Sequence, residues 1–402
     1  MRTIGLVTTS RADYGAYRPL MEAIREDPAL DLRLLVSGMH LSAQHGSTVR
    51  AIEEDGFEIA ERIEMLLSSD TPESTSKSMG LGVIGFAQLF GRWRPDILVV
   101  LGDRFEMHAA ALAAIPFKIP VAHISGGEVT EGAIDDALRH SLTKLSHLHF
   151  PATEEYARRI IQLGEEPWRV MVAGEPSLDQ LHTLQMLPRE ELERRFELRL
   201  SSPFVMVTFH PVTLEYENAE LQVTELLGAI EASGVPAVFS MPNADTGNHV
   251  IRERIRQFVA EHDDARLVDN FGIHAYFSMM TLAAAMVGNS SSGLLEAASF
   301  QLPAVNIGTR QDGRVRAWNV IDVGYGRGEI LRGITKAISP EFRASLCGLV
   351  NPYGTGHASP TITDRLRTVE LGDRLIRKKF YDLPVNPEND EEKGRQASHT
   401  TT

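Results

Sequence analysis

Cysteine is nearly absent from this chain: Cys347 is the only one in 402 residues. That excludes an internal disulfide and any Cys-based zinc site, and a lone thiol without a supporting motif reads as structural. Long hydrophobic runs are also lacking, since no apolar stretch approaches the ~20 residues that cross a bilayer. The opening MRTIGLVTTS has no basic region leading into an extended apolar one, so it reads as a first strand and not as a secretory leader. The expected location is the cytoplasm. Basic residues are in deficit, with 40 Lys and Arg against 54 Asp and Glu and a formal net charge of −14. This balance argues against nucleic acid or an anionic membrane as a partner, while a local basic pocket could still hold phosphate. Repeats at a solenoid period are missing too.

What the chain does have is alternation. Strand-like runs lie at 3–9, 32–37, 96–101, 120–124, 148–151 and 170–173. A second series lies at 204–209, 237–241, 265–268, 285–288, 303–307 and 320–323. Helical periodicity fills the gaps, as at 17–25, 106–114, 138–146, 217–232 and 249–261. Strands alternating with helices imply parallel sheets covered on both faces. Two series of about six strands suit two doubly wound α/β domains better than one barrel, which would want eight strands in a single series. The expected domains are 1–175 and 176–362, with the break between 174 and 202 and the charged helix 188–200 opening the second. A last helix, 363–379, ends in Arg377, Lys378 and Lys379, which suits the negative end of a helix dipole. The tail from 384 onward is polar and poor in apolar residues, and it is expected to be mobile.

In open parallel sheets, ligands bind beyond the carboxyl ends of the strands. Two strand ends here carry acids. The run 96–101 leads into Asp103, Arg104 and Glu106. The run 120–124 leads into Ser125, Gly126, Gly127 and Glu128, with Asp135 and Asp136 shortly after. Carboxylates gathered in one cleft point to proton chemistry.

In the second half, AMVGNSSSGLLEAASF ends a strand at Gly288 and starts a helix near Ser291. Ser290, Ser291, Ser292 and Gly293 could present hydroxyls and main-chain N–H groups to a diphosphate. Alternatively, one serine simply caps the helix; three in a row flanked by glycine favour ligand contact. Glu296 could accept from ribose hydroxyls or be a solvated helix residue. His210, at the end of 204–209, faces the same cleft or is a structural histidine. The turns SMPNAD, with Asn243, and DNFGI, with Phe271, lie on the same edge. Arg310 in IGTRQDGR and Arg11 in TTSRADYG are phosphate partners or surface arginines.

Two signals are set aside. GLGVIG at 80–85 matches a dinucleotide fingerprint by letters, but it follows the polar stretch SSDTPESTSKSM, read as a loop, and not a strand. His147 and His149, placed on one strand face, lack a fitting third ligand. The acids could hold Mg²⁺, yet a diphosphate already neutralised by arginine, serine and helix N-termini would not need it. No cofactor or metal is expected.

A longer set of ordered motifs resembles the UDP-N-acetylglucosamine 2-epimerase family, and within it the hydrolysing branch. These are SRADYG at 10–15, SGMHLS at 37–42, GDRFE at 102–106, H-x-x-GGE at 123–128, GAIDD at 132–136 and RHSLTKLSHLHF at 139–150. They continue with QLGE at 162–165, MPNAD at 241–245, GNSSSG at 288–293, NIGTRQ-x-GR at 306–314 and NPYG-x-G at 351–356. The resemblance implies a GT-B type fold, with two Rossmann-like domains, the active site between them, and a C-terminal helix, 363–383, crossing back to the first. It implies catalytic carboxylates in the first domain and nucleotide binding in the second. It also implies that a base removes the C2 proton of the sugar, UDP leaves C1, and the resulting glucal is hydrated to the free 2-epimer.

By motif position Asp103, Glu128 and Asp135 are the carboxylate candidates, with base and acid unassigned. His210, Arg11 and the serine turn would serve the leaving diphosphate. The remaining substrate-binding candidates are Arg104, Asn243, Phe271, Gly293, Glu296 and Arg310. Many relatives carry Glu where this chain has Ser125. The sugar is either UDP-GlcNAc or UDP-N,N'-diacetylbacillosamine, with GDP-linked versions in some members. The products would feed sialic or legionaminic acid synthesis, and GAID and RRIIQLGE resemble the legionaminic side. A homodimer or homotetramer is expected. A non-hydrolysing epimerase, a GT-B glycosyltransferase and a nucleotide-sugar binding protein are the competing readings.

Overall fold

The computed structural model describes residues 1–42, 48–69, 71–130, 134–200, 203–212, 215–241 and 248–384. Asn243 and the tail beyond 384 therefore lie outside the described residues. The first six strands are β1 (Arg2–Thr8), β2 (Leu30–Ser37), β3 (Ile59–Ile63), β4 (Ile97–Leu101), β5 (Val121–Ile124) and β6 (Leu148–Phe150). They form one sheet in the order β3-β2-β1-β4-β5-β6, with every pairing parallel. The next six are β7 (Val205–Thr208), β8 (Ala237–Ser240), β9 (Ala265–Val268), β10 (Ala285–Gly288), β11 (Ala304–Ile307) and β12 (Val320–Val323). Their order, β12-β11-β10-β7-β8-β9, repeats the first pattern, again all parallel. This is an α/β fold of two doubly wound sheets. The strands β4, β5, β7 and β10 are apolar and buried on both faces because helices cover both sides.

In each sheet the strand order reverses once, between β1 and β4 and between β7 and β10. A crevice opens at such a switch point because the neighbouring connections leave toward opposite faces. Asp103 follows β4 and Arg11 follows β1. His210 follows β7 and Ser290 follows β10. All four residues thus sit at the two switch points.

Three expectations need correction. Residues 170–173 are not a strand: they make one bridge, His149 to Val170, beside the three-residue β6, which is too short to extend the pairing. The sixth strand of the first sheet is instead β3, an edge strand whose outward Glu61 and Arg62 dilute its apolar pattern. The last helix is two, Ala358–Thr368 and Asp373–Ile376, broken where Val369 ends the first and Gly372 precedes the second. Finally, the polar stretch before Gly80 is helical from Pro72: Thr71 caps the long helix Pro72–Arg92 by accepting from Ser74 N, and the glycines of GLGVIG lie inside it.

The helix Ala358–Thr368 packs on Arg11–Glu26, and Ile362, Leu366, Val369 and Leu375 join the first lobe's apolar core. Buried Arg169 donates to the carbonyls of Arg374, Leu375 and Arg377, and Lys378 reaches Glu165 at 2.8 Å. The end of the chain is thereby tied to the first lobe.

Candidate active site

In the first lobe, the turns after β4 and β5 are locked together by His123. Burial pushes this imidazole down to about 3, so it is neutral; Nε2 lies 2.7 Å from the Gly102 carbonyl and Nδ1 lies 3.3 Å from Thr143 Oγ1. The neutral ring therefore holds its proton on Nε2 and donates to Gly102, beside Asp103. Asp103 accepts from the guanidinium of Arg139, a side chain only 2 % exposed. Asp135 opens the helix Ile134–Leu145; burial first, and then the Asp103 charge, push its carboxyl up. The turn 125–128 is tight. Ser125 has φ 57°, and Gly127, at φ 77°, could not carry a Cβ without overlapping the Tyr156 carbonyl. That close approach delivers Glu128 into the interior.

Arg11 is exposed at the β1 end, on a turn ordered by buried Asp13, which accepts from the amides and hydroxyls of both Thr9 and Ser10. Arg104 pairs with buried Glu106 at 3.0 Å and reaches Met39 Sδ at 3.4 Å.

In the second lobe, β7 and β10 cross so closely at their ends that a Cβ on Gly288, at φ 138°, would sit inside the Thr208 carbonyl. Asn289 then staples the two ends: His210 N donates to its Oδ1 at 2.7 Å and its Nδ2 donates to His210 O at 2.8 Å. Burial, and secondarily Arg310, hold the His210 imidazole down at about 3, so it is a neutral group in this state. Arg310 and Gln311 donate to the Asn289 carbonyl. The helix after the serine turn is short, Ser292–Leu295, so it brings little dipole. Ser291 makes no side-chain cap bond, and the hydroxyls of Ser290, Ser292 and Thr208 surround the half-buried Tyr276 phenol. Any anion here is therefore met mainly by hydroxyls and turn amides. Phe271 is buried, packing on Phe196 with ring centroids 5.0 Å apart. We expect His210→Ala to weaken UDP binding by about tenfold, one lost contact to a charged group being ~1.5 kcal/mol. Calorimetric titration with UDP checks this, and an unchanged Kd removes His210 from the site.

The lobes meet over these turns. Arg314 of the second lobe reaches Glu128 at 3.3 Å, both side chains largely buried. Ser177 Oγ donates to Glu296 Oε1 at 3.3 Å, and Ser125 Oγ donates to Glu175 Oε2 at 3.3 Å. The phenols of Tyr156 and Tyr353 lie 2.9 Å apart; Val315 N donates to Tyr156 Oη and the Tyr353 hydroxyl donates to Val315 O. Arg314, Glu175, Arg139 and Tyr276 were missed in the sequence. Glu175 carried the signal used for Asp103 and Glu128, an acid just after an apolar run. Among the described residues no cluster of three His, Cys, Asp or Glu could hold a metal ion. His147 lies before β6 and accepts from Val121 N, whereas His149 pairs with Glu165 at 3.1 Å.

Comparison with known proteins adds the following. The family profile for UDP-N-acetylglucosamine 2-epimerase matches residues 22–367. A Legionella pneumophila hydrolysing UDP-N,N'-diacetylbacillosamine 2-epimerase is 36% identical over 379 residues, 94% of this chain and 99% of its own. A Campylobacter jejuni hydrolysing GDP/UDP-N,N'-diacetylbacillosamine 2-epimerase is 37% identical over 385 residues, 95% of this chain and 99% of its own. The crystal structure of UDP-GlcNAc 2-epimerase from Neisseria meningitidis bound to UDP-GlcNAc superposes with a TM-score of 0.77 at 19% identity, covering 91% of this chain and 99% of that one.

Proposed function

This chain belongs to the UDP-N-acetylglucosamine 2-epimerase family as a hydrolysing 2-epimerase, and from that premise we propose that its substrate is UDP-N,N'-diacetylbacillosamine and its products are UDP and 2,4-diacetamido-2,4,6-trideoxymannose. The observation that carries the reading is the Glu128–Arg314 pair at 3.3 Å, which sets the first-lobe carboxylates against the second-lobe anion turn. For the sugar, support comes from the two relatives named for diacetylbacillosamine at 36% and 37% identity.

The reaction runs in two halves. A carboxylate among Asp103, Glu128 and Asp135 takes the proton from C2. The C2–H electron pair becomes the C1=C2 bond, and the C1–O bond breaks with its pair going to UDP. Arg310, the serine hydroxyls and neutral His210 receive the diphosphate charge. A protonated carboxyl then gives its proton to C2 on the opposite face, and water adds its oxygen to C1 while passing its own proton to that same carboxylate, which is thereby reset. Asp135, whose carboxyl is pushed up by burial and by Asp103, is suited to hold that proton. Asp103, on the Arg139 guanidinium, is suited to act as the base. The same reading has the enzyme work as a cytoplasmic homodimer or homotetramer, which light scattering of the purified protein tests.

The substrate is tested by an NMR time course in D₂O with UDP-diacetylbacillosamine and UDP-GlcNAc in parallel. Release of UDP and a free 2-epimer deuterated at C2 from the first sugar is expected. Preferential turnover of UDP-GlcNAc would replace the substrate. Epimerisation with the nucleotide retained would overturn the route.

A further inference from the structure

Glu175 is used by none of these steps, yet it stands inside the lobe junction. Its main-chain N–H donates to the Tyr353 carbonyl at 2.8 Å, where the chain passes between the lobes, and its carboxyl receives Ser125 Oγ at 3.3 Å. Glu128 from the turn after β5 and Glu296 from the helix after β10 face it, and so does Arg314 from the loop after β11. The phenols of Tyr156 and Tyr353 face Glu128 and Arg314, the Tyr276 phenol faces Glu296, and Asp103, itself bonded to Arg139, faces Arg314 from the turn after β4.

Three buried carboxyls thus share one guanidinium. With all three ionised the cluster would carry two uncompensated negative charges away from water, which is the costly arrangement. Arg314 is committed to Glu128. Glu296 takes Ser177 on one oxygen, while its Oε2 is buried with no hydrogen-bond partner. A proton on Glu175 removes one of the two uncompensated charges, and burial pushes the Glu296 carboxyl up as well, which eases the second. Ser125 can still donate to the carbonyl-like Oε2 of a protonated Glu175.

We propose that Glu175 is a positioning residue, a neutral carboxyl that completes the Glu128–Arg314 pair between the lobes and breaks it when its proton leaves. The inference rests on the hydrolytic reading only for what the cluster is used for. Burial first, then Glu128 and Glu296, push this carboxyl up to about 8. Its ordinary value is ~4.3. A carboxyl raised on folding stabilises fully below the unfolded value, and that contribution is lost as pH rises through the folded value. The loss here runs from about pH 4 to about pH 8, and around pH 8 the folded carboxyl itself ionises, where a third buried anion would compete for Arg314 and loosen Glu128. Activity should therefore decline on the alkaline side, in kcat and, because the serine turn and the Glu128 turn loosen together, in affinity for the UDP-sugar.

The test joins infrared titration with a pH–rate profile. Wild-type protein without substrate should lose a protonated-carboxyl C=O band between about pH 7 and 9, and Glu175→Gln should lack that change. In the same variant the alkaline fall in kcat should vanish, with kcat at pH 7 lowered by about tenfold at most. Should Glu175→Gln fail to fold, Ser125→Gly serves. It relaxes a positive-φ residue and removes a donor that favours the ionised form, so the band loss should move up by about half a pH unit. The same band loss in Glu175→Gln, an unchanged alkaline limb, or an unmoved midpoint in Ser125→Gly would overturn the proposal. The infrared measurement needs no substrate. A wrong sugar would appear as an idle wild-type enzyme, and a wrong role for Glu175 as an unchanged band.

Discussion

Asp103→Asn is expected to lower kcat by about 10³-fold, while the Kd for UDP stays within about threefold. The side chain sits at the first-lobe switch point, bonded to buried Arg139, and Asp135 shares its surroundings. Asparagine keeps the size and one oxygen for Arg139 but cannot take a proton from carbon. It also removes the charge that raises Asp135, so both halves of the proton cycle suffer. The groups proposed to hold the nucleotide, His210, Arg310 and the serine turn, lie in the second lobe and are untouched. Single-turnover kinetics beside calorimetric UDP titration separates the two effects. If affinity for UDP falls along with turnover, Asp103 is a binding or structural group and the base lies elsewhere.

Arg314→Met should be nearly as severe by a different route. The variant keeps an apolar stem and loses the one cation facing Glu128, Glu175 and Glu296. Removing one partner of a buried pair costs about 3–5 kcal/mol, because the other charge stays behind. If that is lost from holding the lobes in register, kcat/KM falls by about two to three and a half orders of magnitude. Unlike Asp103→Asn, it should also weaken UDP binding, since the serine turn and the Glu128 turn would no longer be held together. A Glu128→Gln/Arg314→Met cycle should show coupling of at least ~1 kcal/mol. Independent effects would mean that the 3.3 Å contact is incidental.

The elements legible in the sequence were those whose burial is complete. The strands β7, β8, β10 and β11 are short apolar runs covered on both faces, and their residues announce it. β3 was missed because an edge strand keeps charged residues on its open side. The turns after β4 and β5 were legible because acids directly following buried strands have few structural excuses. Arg314 and Glu175 were not, since their meaning depends on which turns face each other once the lobes close. The start of the helix at Ser292 was legible but its length was not: small polar residues after a strand announce a turn, and nothing in them sets how far the helix continues.

The route of the last residues bears on how this protein is made. The helix Ala358–Thr368 supplies apolar side chains to the first lobe's core, and Arg169, Glu165 and Ser146 bind the residues after it. During synthesis the first lobe emerges early but lacks this part of its interior until the second lobe has been made. Its sheet must wait with an uncovered apolar face beside the helix Arg11–Glu26 while the strands of the second sheet, continuous in the chain, are all made first. The order of completion is therefore reversed with respect to the order of translation. Premature termination anywhere before residue 358 would strand a sticky intermediate that depends on chaperones.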